Sequence, residues 1–241
     1  MDWVTIIIFA LGLPLVGSLI GAYMVGKKYS YMKENPHEFG MDESEFRRKN
    51  FGKYIVIQSL FQTGPIYGMM VVVIFYLHVV DLNVPDNALS KFGVVIALAI
   101  GAPALFSNMT RGFISREGIE SIARDPRTLG KAVVHAAIPE TPMIYGLLIA
   151  ILSLSFSELF LGEFVLTSNQ IDEMLNSVIV FACLSSGVLL SGILFVRVEE
   201  PFSLKKFAKG IQVNIMGTIP SIIGLAYVLI KFNEIGLFTG G

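Results

Sequence analysis

The chain of 241 residues has little of what an ordinary soluble domain carries. It has one cysteine, Cys183, so no disulfide framework can form within it, and thiols say nothing of its redox compartment. Charge is scarce: Asp, Glu, Lys and Arg make up 15% of the residues, where a soluble domain has about a quarter. Net charge is −1, which gives no sign of a nucleic-acid partner. No glycine-rich phosphate loop occurs, so the chain is not expected to bind ATP itself or to need a cofactor. The first apolar stretch lacks the basic leader of a secretory signal and is read as a mature helix.

What the chain has instead is apolar length. Hydrophobic residues are 54% of the total and the mean hydropathy is +0.68. Six stretches are nearly free of charge: 3–26, 54–80, 92–110, 132–156, 175–196 and 210–230. Each is about long enough to cross ~30 Å of hydrocarbon as a helix. The expectation is an all-α membrane protein of six transmembrane helices.

The loops give the orientation. Every Lys and Arg except Lys91 and Lys231 falls in 27–53, 111–131 or 197–209. The alternate loops hold Asp81, Asp86, Glu158, Glu163, Asp172 and Glu173. By the positive-inside rule the three basic loops face the cytoplasm, and both termini face outward.

A repeat organises the spans. FGKYIVIQSLFQTGPIYG (51–68), LGKAVVHAAIPETPMIYG (129–146) and FAKGIQVNIMGTIPSIIG (207–224) align without gaps. Lys53, Lys131 and Lys209 stand 78 residues apart, as do Gly68, Gly146 and Gly224. This predicts three tandem hairpins: 1–80 with a long cytoplasmic loop, 81–157, and 158–241. The partner spans carry small residues four apart, Gly17 and Gly21, Ala97 and Gly101, Gly187 and Ser191. Such spacing lets helix backbones approach closely in lipid.

Nine residues after the repeated lysine stand Gln62, Glu140 and Thr218. Glu140 is the one acid within the six predicted spans. A charge at mid-bilayer costs about 2.5–3.5 kcal/mol or more, so a lone acid there marks an ion path or an ion pair. Pro139 and Pro142 flank it and free backbone carbonyls. Thr141 offers a hydroxyl beside it, and Tyr145 is expected to reach back toward it. Gln62, Thr63 and Tyr67 are the matching polar residues of the first repeat. The alternative for each is local satisfaction within its own helix.

The run GIESIARDPRTLGKAVVHAAIPETPMIYGLLIAIL (118–152) resembles the proteolipid, or c-type, subunit of rotary ATPases. The resemblance rests on Ala123-Arg124-Asp125-Pro126 as the polar turn, Glu140 as the carboxylate, and Ile144-Tyr145-Gly146 after it. Fused hairpins with carboxylates missing look most like the V-type and A-type branches. The resemblance implies a closed homo-oligomeric ring in a cell membrane of an archaeon or bacterium. The first, third and fifth helices would line its inside and the others its outside. Cytoplasmic loops would meet the proteins of the central stalk. Glu140 would load and unload a proton or Na+ at a stator a-type subunit, a non-catalytic role coupled to ATP hydrolysis or synthesis elsewhere.

One residue departs from the pattern. In sodium-binding members a glutamine ligand precedes the loop proline by sixteen positions in an inclusive count, and here that position is Arg111. Arg111 either snorkels to the cytoplasmic surface or pairs with Glu140, and neither suits Na+. The charged run 41–50 suits a short solvated helix touching the stalk, or a mobile loop. Two other readings of the whole chain are a six-helix monomeric transporter or channel and a structural ring subunit that binds no ion.

Overall fold

A computed structural model describes residues 6–79, 86–158 and 165–238, with side chains at 6–77, 88–158 and 165–238. Among these residues there is no strand. Six helices are long and apolar enough to cross a membrane: α1 Ile8–Glu34, α2 Glu43–Leu77, α3 Ala88–Arg124, α4 Pro126–Phe156, α5 Ser168–Val196 and α6 Phe207–Glu234. The fold is an all-α membrane protein. Of the acidic-loop residues, Asp81, Glu163 and the side chain of Asp86 lie outside the described residues.

The helices outrun the charge-free stretches, because a helix does not stop where hydropathy does. The run 41–50 is largely the start of α2 itself, capped by Asp42, whose carboxylate accepts the Glu45 N–H at 2.8 Å. That bond lowers the Asp42 carboxyl below the usual range. Asp125 turns the chain between α3 and α4 in the same way: the Arg127 backbone N–H donates to it at 3.0 Å and the Arg127 side chain at 3.1 Å. Both bonds hold its carboxyl below the usual range.

α3 is the most buried helix and packs between α1 and α5, while α2, α4 and α6 form a second row against them. The repeated glycines explain this spacing. A side chain on Gly68 would strike the carbonyl of Ala10 on α1, and one on Gly146 the carbonyl of Ala99 on α3. One on Gly224 would meet Phe181 of α5 at 3.1 Å. Each repeated glycine is therefore a close approach within one hairpin.

The small-residue pairs serve two seams. Gly17 and Gly21 bring α1 against Leu105 and Asn108 of α3, and Gly101 sits on the carbonyl of Phe9. Gly187 and Ser191 instead face Pro220 and Gly217 of α6, inside the third hairpin. Leu19, Val73, Leu148, Leu190 and Ile223 are among the apolar side chains left exposed, as packing against lipid or a neighbouring copy requires.

Candidate ion site

α4 is broken at the acid. A single 3-10 turn, Ile138–Glu140, separates Leu129–Ala137 from Thr141–Phe156. α2 breaks 78 residues earlier, at Leu60–Gln62, whereas α6 runs through as one α-helix. Two prolines lie at the break in α4, whereas α6 carries Pro220 alone and stays α-helical. Pro139 and Pro142 have no N–H for the carbonyls of His135 and Ile138. The Thr141 hydroxyl donates to the Ile138 carbonyl at 2.8 Å. Asn214 of α6 donates to the His135 carbonyl at 3.3 Å and to His135 Nδ1 at 3.1 Å. This bolt ties hairpins two and three in a cage of Phe195, Phe202 and Phe207, whose rings stand edge-on to His135.

Glu140 turns toward the first hairpin. Its Oε1 accepts the Tyr67 hydroxyl at 3.2 Å, and its Oε2 accepts Arg111 Nη2 at 3.1 Å. The side chain of Arg111 is 1% exposed and that of Glu140 16%. Arg111 Nε donates to the Ala136 carbonyl at 3.0 Å. Its Nη1 donates to Thr63 Oγ1 at 2.6 Å and, more weakly, to Asn108 Oδ1 at 3.4 Å. Asn108 Nδ2 in turn donates to Ser18 Oγ at 2.9 Å, and Ser18 donates to the Phe61 carbonyl at 2.7 Å. Four helices thus meet in one polar network around the acid.

The expected residues divide clearly. Tyr67 bonds Glu140 and Thr63 bonds its partner Arg111; Tyr145 does neither. Five residues on places Tyr145 about 140° around the helix, where it packs against the apolar core. By the 78-residue register Thr141 and Tyr145 stand to α4 as Thr63 and Tyr67 stand to α2. Gln62 is exposed on its own 3-10 turn. Thr218 is buried and its hydroxyl returns to the Ile215 carbonyl at 2.8 Å. Arg111 does not snorkel. Its side chain is 1% exposed and all of its bonds run to groups inside the helix bundle. Asn108, Ser18, His135 and Asn214 carry the networks without having been expected. Their one signal is an amide, hydroxyl or imidazole on an otherwise apolar span. Among the described residues no group of three His, Cys, Asp or Glu side chains could hold a metal.

Comparison with known families matches the stretch that holds this site. Residues 94–153 match the family described as the C subunit of ATP synthase. The A-type ATP synthase subunit K of Methanocaldococcus jannaschii is 36% identical over 102 residues, covering 42% of this chain and 45% of that protein. The chain therefore aligns with less than half the length of that relative. The V-type sodium ATPase subunit K of Enterococcus hirae is 26% identical over 138 residues, 57% of this chain and 80% of the relative. The chloroplastic ATP synthase c subunit of Galdieria sulphuraria is 35% identical over 83 residues, 32% of this chain and 99% of the relative. No solved structure matches the chain. With one relative of 35% identity aligned over nearly its whole length, and the family model matching the stretch that carries Glu140, the chain belongs to the family of ATP synthase C subunits, the proteolipids of rotary ATPases.

Proposed function

We propose that this chain is the membrane rotor-ring subunit of a V-type or A-type rotary ATPase, moving protons through Glu140. Several copies close into a ring, with α1, α3 and α5 as its inner row and α2, α4 and α6 as its outer row. The three hairpins, 1–80, 81–157 and 158–241, are its units. The basic loops face the cytoplasm and central stalk, and the termini face outward. A stator subunit exchanges the ion with Glu140 as the ring turns.

One observation carries this reading. The single mid-span acid sits at a helix break flanked by two prolines, inside the stretch 94–153 that matches the family of ATP synthase C subunits. Mid-membrane acids of this kind serve ion pathways. Three hairpins of one orientation suit a ring rather than an inverted-repeat transporter. One carboxylate in three hairpins gives few ions per turn, which favours pumping against a steep gradient over synthesis. The ion pair with Arg111 favours the proton over Na+, and it is also the one observation favouring a structural ring subunit without ion traffic.

The test is ATP-driven ion uptake by the assembled complex in liposomes. Glu140→Gln abolishes uptake and carbodiimide labelling at residue 140 while native mass still shows a multimeric ring. Full uptake by that variant would sink the proposal, and a monomeric native mass would return the chain to the transporter class.

A further inference from the structure

We infer that the guanidinium of Arg111 is the built-in cation of the Glu140 site, making Arg111 the residue that determines ion specificity by excluding Na+. The inference rests on the reading of Glu140 as the ion-carrying acid. All three guanidinium nitrogens are bonded, to oxygens from three helices: Thr63 Oγ1 on α2, Asn108 Oδ1 on α3, and the Ala136 carbonyl and Glu140 Oε2 on α4. A carbonyl, an amide oxygen, a hydroxyl and a carboxylate are the donor set that a bare hard cation takes from a protein. Here the guanidinium takes it.

The arrangement is directional. Asn108 donates its N–H groups to Ser18 Oγ and, at 3.5 Å, to the Pro14 carbonyl, so its Oδ1 is turned toward Arg111. Ser18 directs its hydrogen to the carbonyls of Pro14 and Phe61. Among the described residues Glu140 is the one acid paired with Arg111, and Arg111 is 1% exposed. The pair is electrically neutral with no cargo bound.

Two consequences follow. A second cation entering the site meets the fixed guanidinium at close range and is repelled. A proton does not need the vacated volume: it adds to a Glu140 oxygen as the bond to Arg111 Nη2 opens. Removing Arg111 leaves Glu140 uncompensated, so the acid must then bind a proton or recruit a cation. Arg111 is thus a positioning residue that acts through Glu140.

The experiment is carbodiimide labelling of the purified protein in lipid nanodiscs, read by mass at Glu140, in NaCl or in choline chloride. Wild type is expected to label slowly and at one rate in both salts. Arg111→Gln is expected to label several-fold faster, because the acid then stands without its ion-pair partner, and to be protected by Na+. Arg111→Lys keeps the charge and is expected to stay slow and indifferent to Na+; it decides the matter if the glutamine variant does not fold. Sodium protection of the wild type, a wild-type rate in Arg111→Gln, or fast labelling of Arg111→Lys would each overturn the inference. These readings need no rotary complex. The rotor proposal fails separately, if Glu140→Gln still pumps.

Discussion

The backbone of Gly146 lies directly on the carbonyl oxygen of Ala99, and the same contact recurs between Gly68 and Ala10 one repeat earlier. These contacts set how near α4 can come to α3, and α2 to α1. They also show why glycine is held at a spacing of 78 residues while most of the intervening sequence differs between repeats. In lipid the helices gain nothing from apolar burial relative to the tails, so close backbone approach is what associates them.

Gly146→Ala and Gly68→Ala should therefore each destabilise the protein by about 1–3 kcal/mol, the usual cost of overpacking a closed contact. Gly130→Ala is the control, because a methyl there meets nothing within 4 Å. It should be neutral or slightly stabilising, since alanine favours helix. Unfolding in mixed micelles ranks the three variants, and equal losses at Gly130 and Gly146 would contradict the close-approach account.

The Asn214–His135 bolt makes a sharper prediction, because proline creates the need for it. Pro139 leaves the His135 carbonyl without its helical partner, and Asn214 supplies one. Asn214→Leu should cost about 1–3 kcal/mol, the range for stranding a buried acceptor. In a Pro139→Ala background the restored N–H can reach that carbonyl, and the cost of Asn214→Leu should shrink. A double-mutant cycle measures the coupling directly; strict additivity would assign the asparagine to packing alone.

The polar turns give a pH prediction with a definite sign. Asp125 and Asp42 are held below the usual carboxylate range by N–H groups of Arg127 and Glu45. A group whose folded value is depressed contributes stability that is present above its unfolded value and lost as pH falls through the folded one. The turns should thus be intact at neutral pH and loosen below about pH 4, the unperturbed aspartate value. Hydrogen exchange at the Arg127 and Glu45 amides, corrected for intrinsic rate, should accelerate across that window. Asp125→Ala should remove the pH step at Arg127 only.

Much of the fold was legible in the residues alone, and the reason is physical. Bilayer thickness sets the length of a span, and the six apolar stretches correspond to the six long helices. Glu140 stood out because an acid in an apolar span is costly unless it serves an ion path or pairs with a cation. Arg111 was harder to place. A hydropathy window ends at the first charge, so it set the third span at 92–110 and put Arg111 in a loop. α3 in fact runs on to Arg124, because a charge paired within the protein need not mark the membrane surface. Which tyrosine meets Glu140 was also hidden, since it depends on the crossing of two hairpins and not on distance along one helix.

That last point can be tested with two hydroxyl deletions that are equivalent in the repeat. Tyr67 donates to Glu140 Oε1 across the hairpin boundary, whereas Tyr145 packs against the apolar core. Tyr67→Phe removes one of two hydrogen bonds to the carboxylate and should shift Glu140 labelling by carbodiimide by about tenfold or more, since a bond to a charged acceptor carries about 1.5–3 kcal/mol. Tyr145→Phe should leave the labelling rate and its pH profile unchanged. Each variant removes one oxygen and keeps the aromatic ring, so a difference between them reports the hydroxyl alone. If Tyr145→Phe moved the profile and Tyr67→Phe did not, the acid would face its own hairpin, and the network from Ser18 through Asn108 and Arg111 to Glu140 would have to be redrawn.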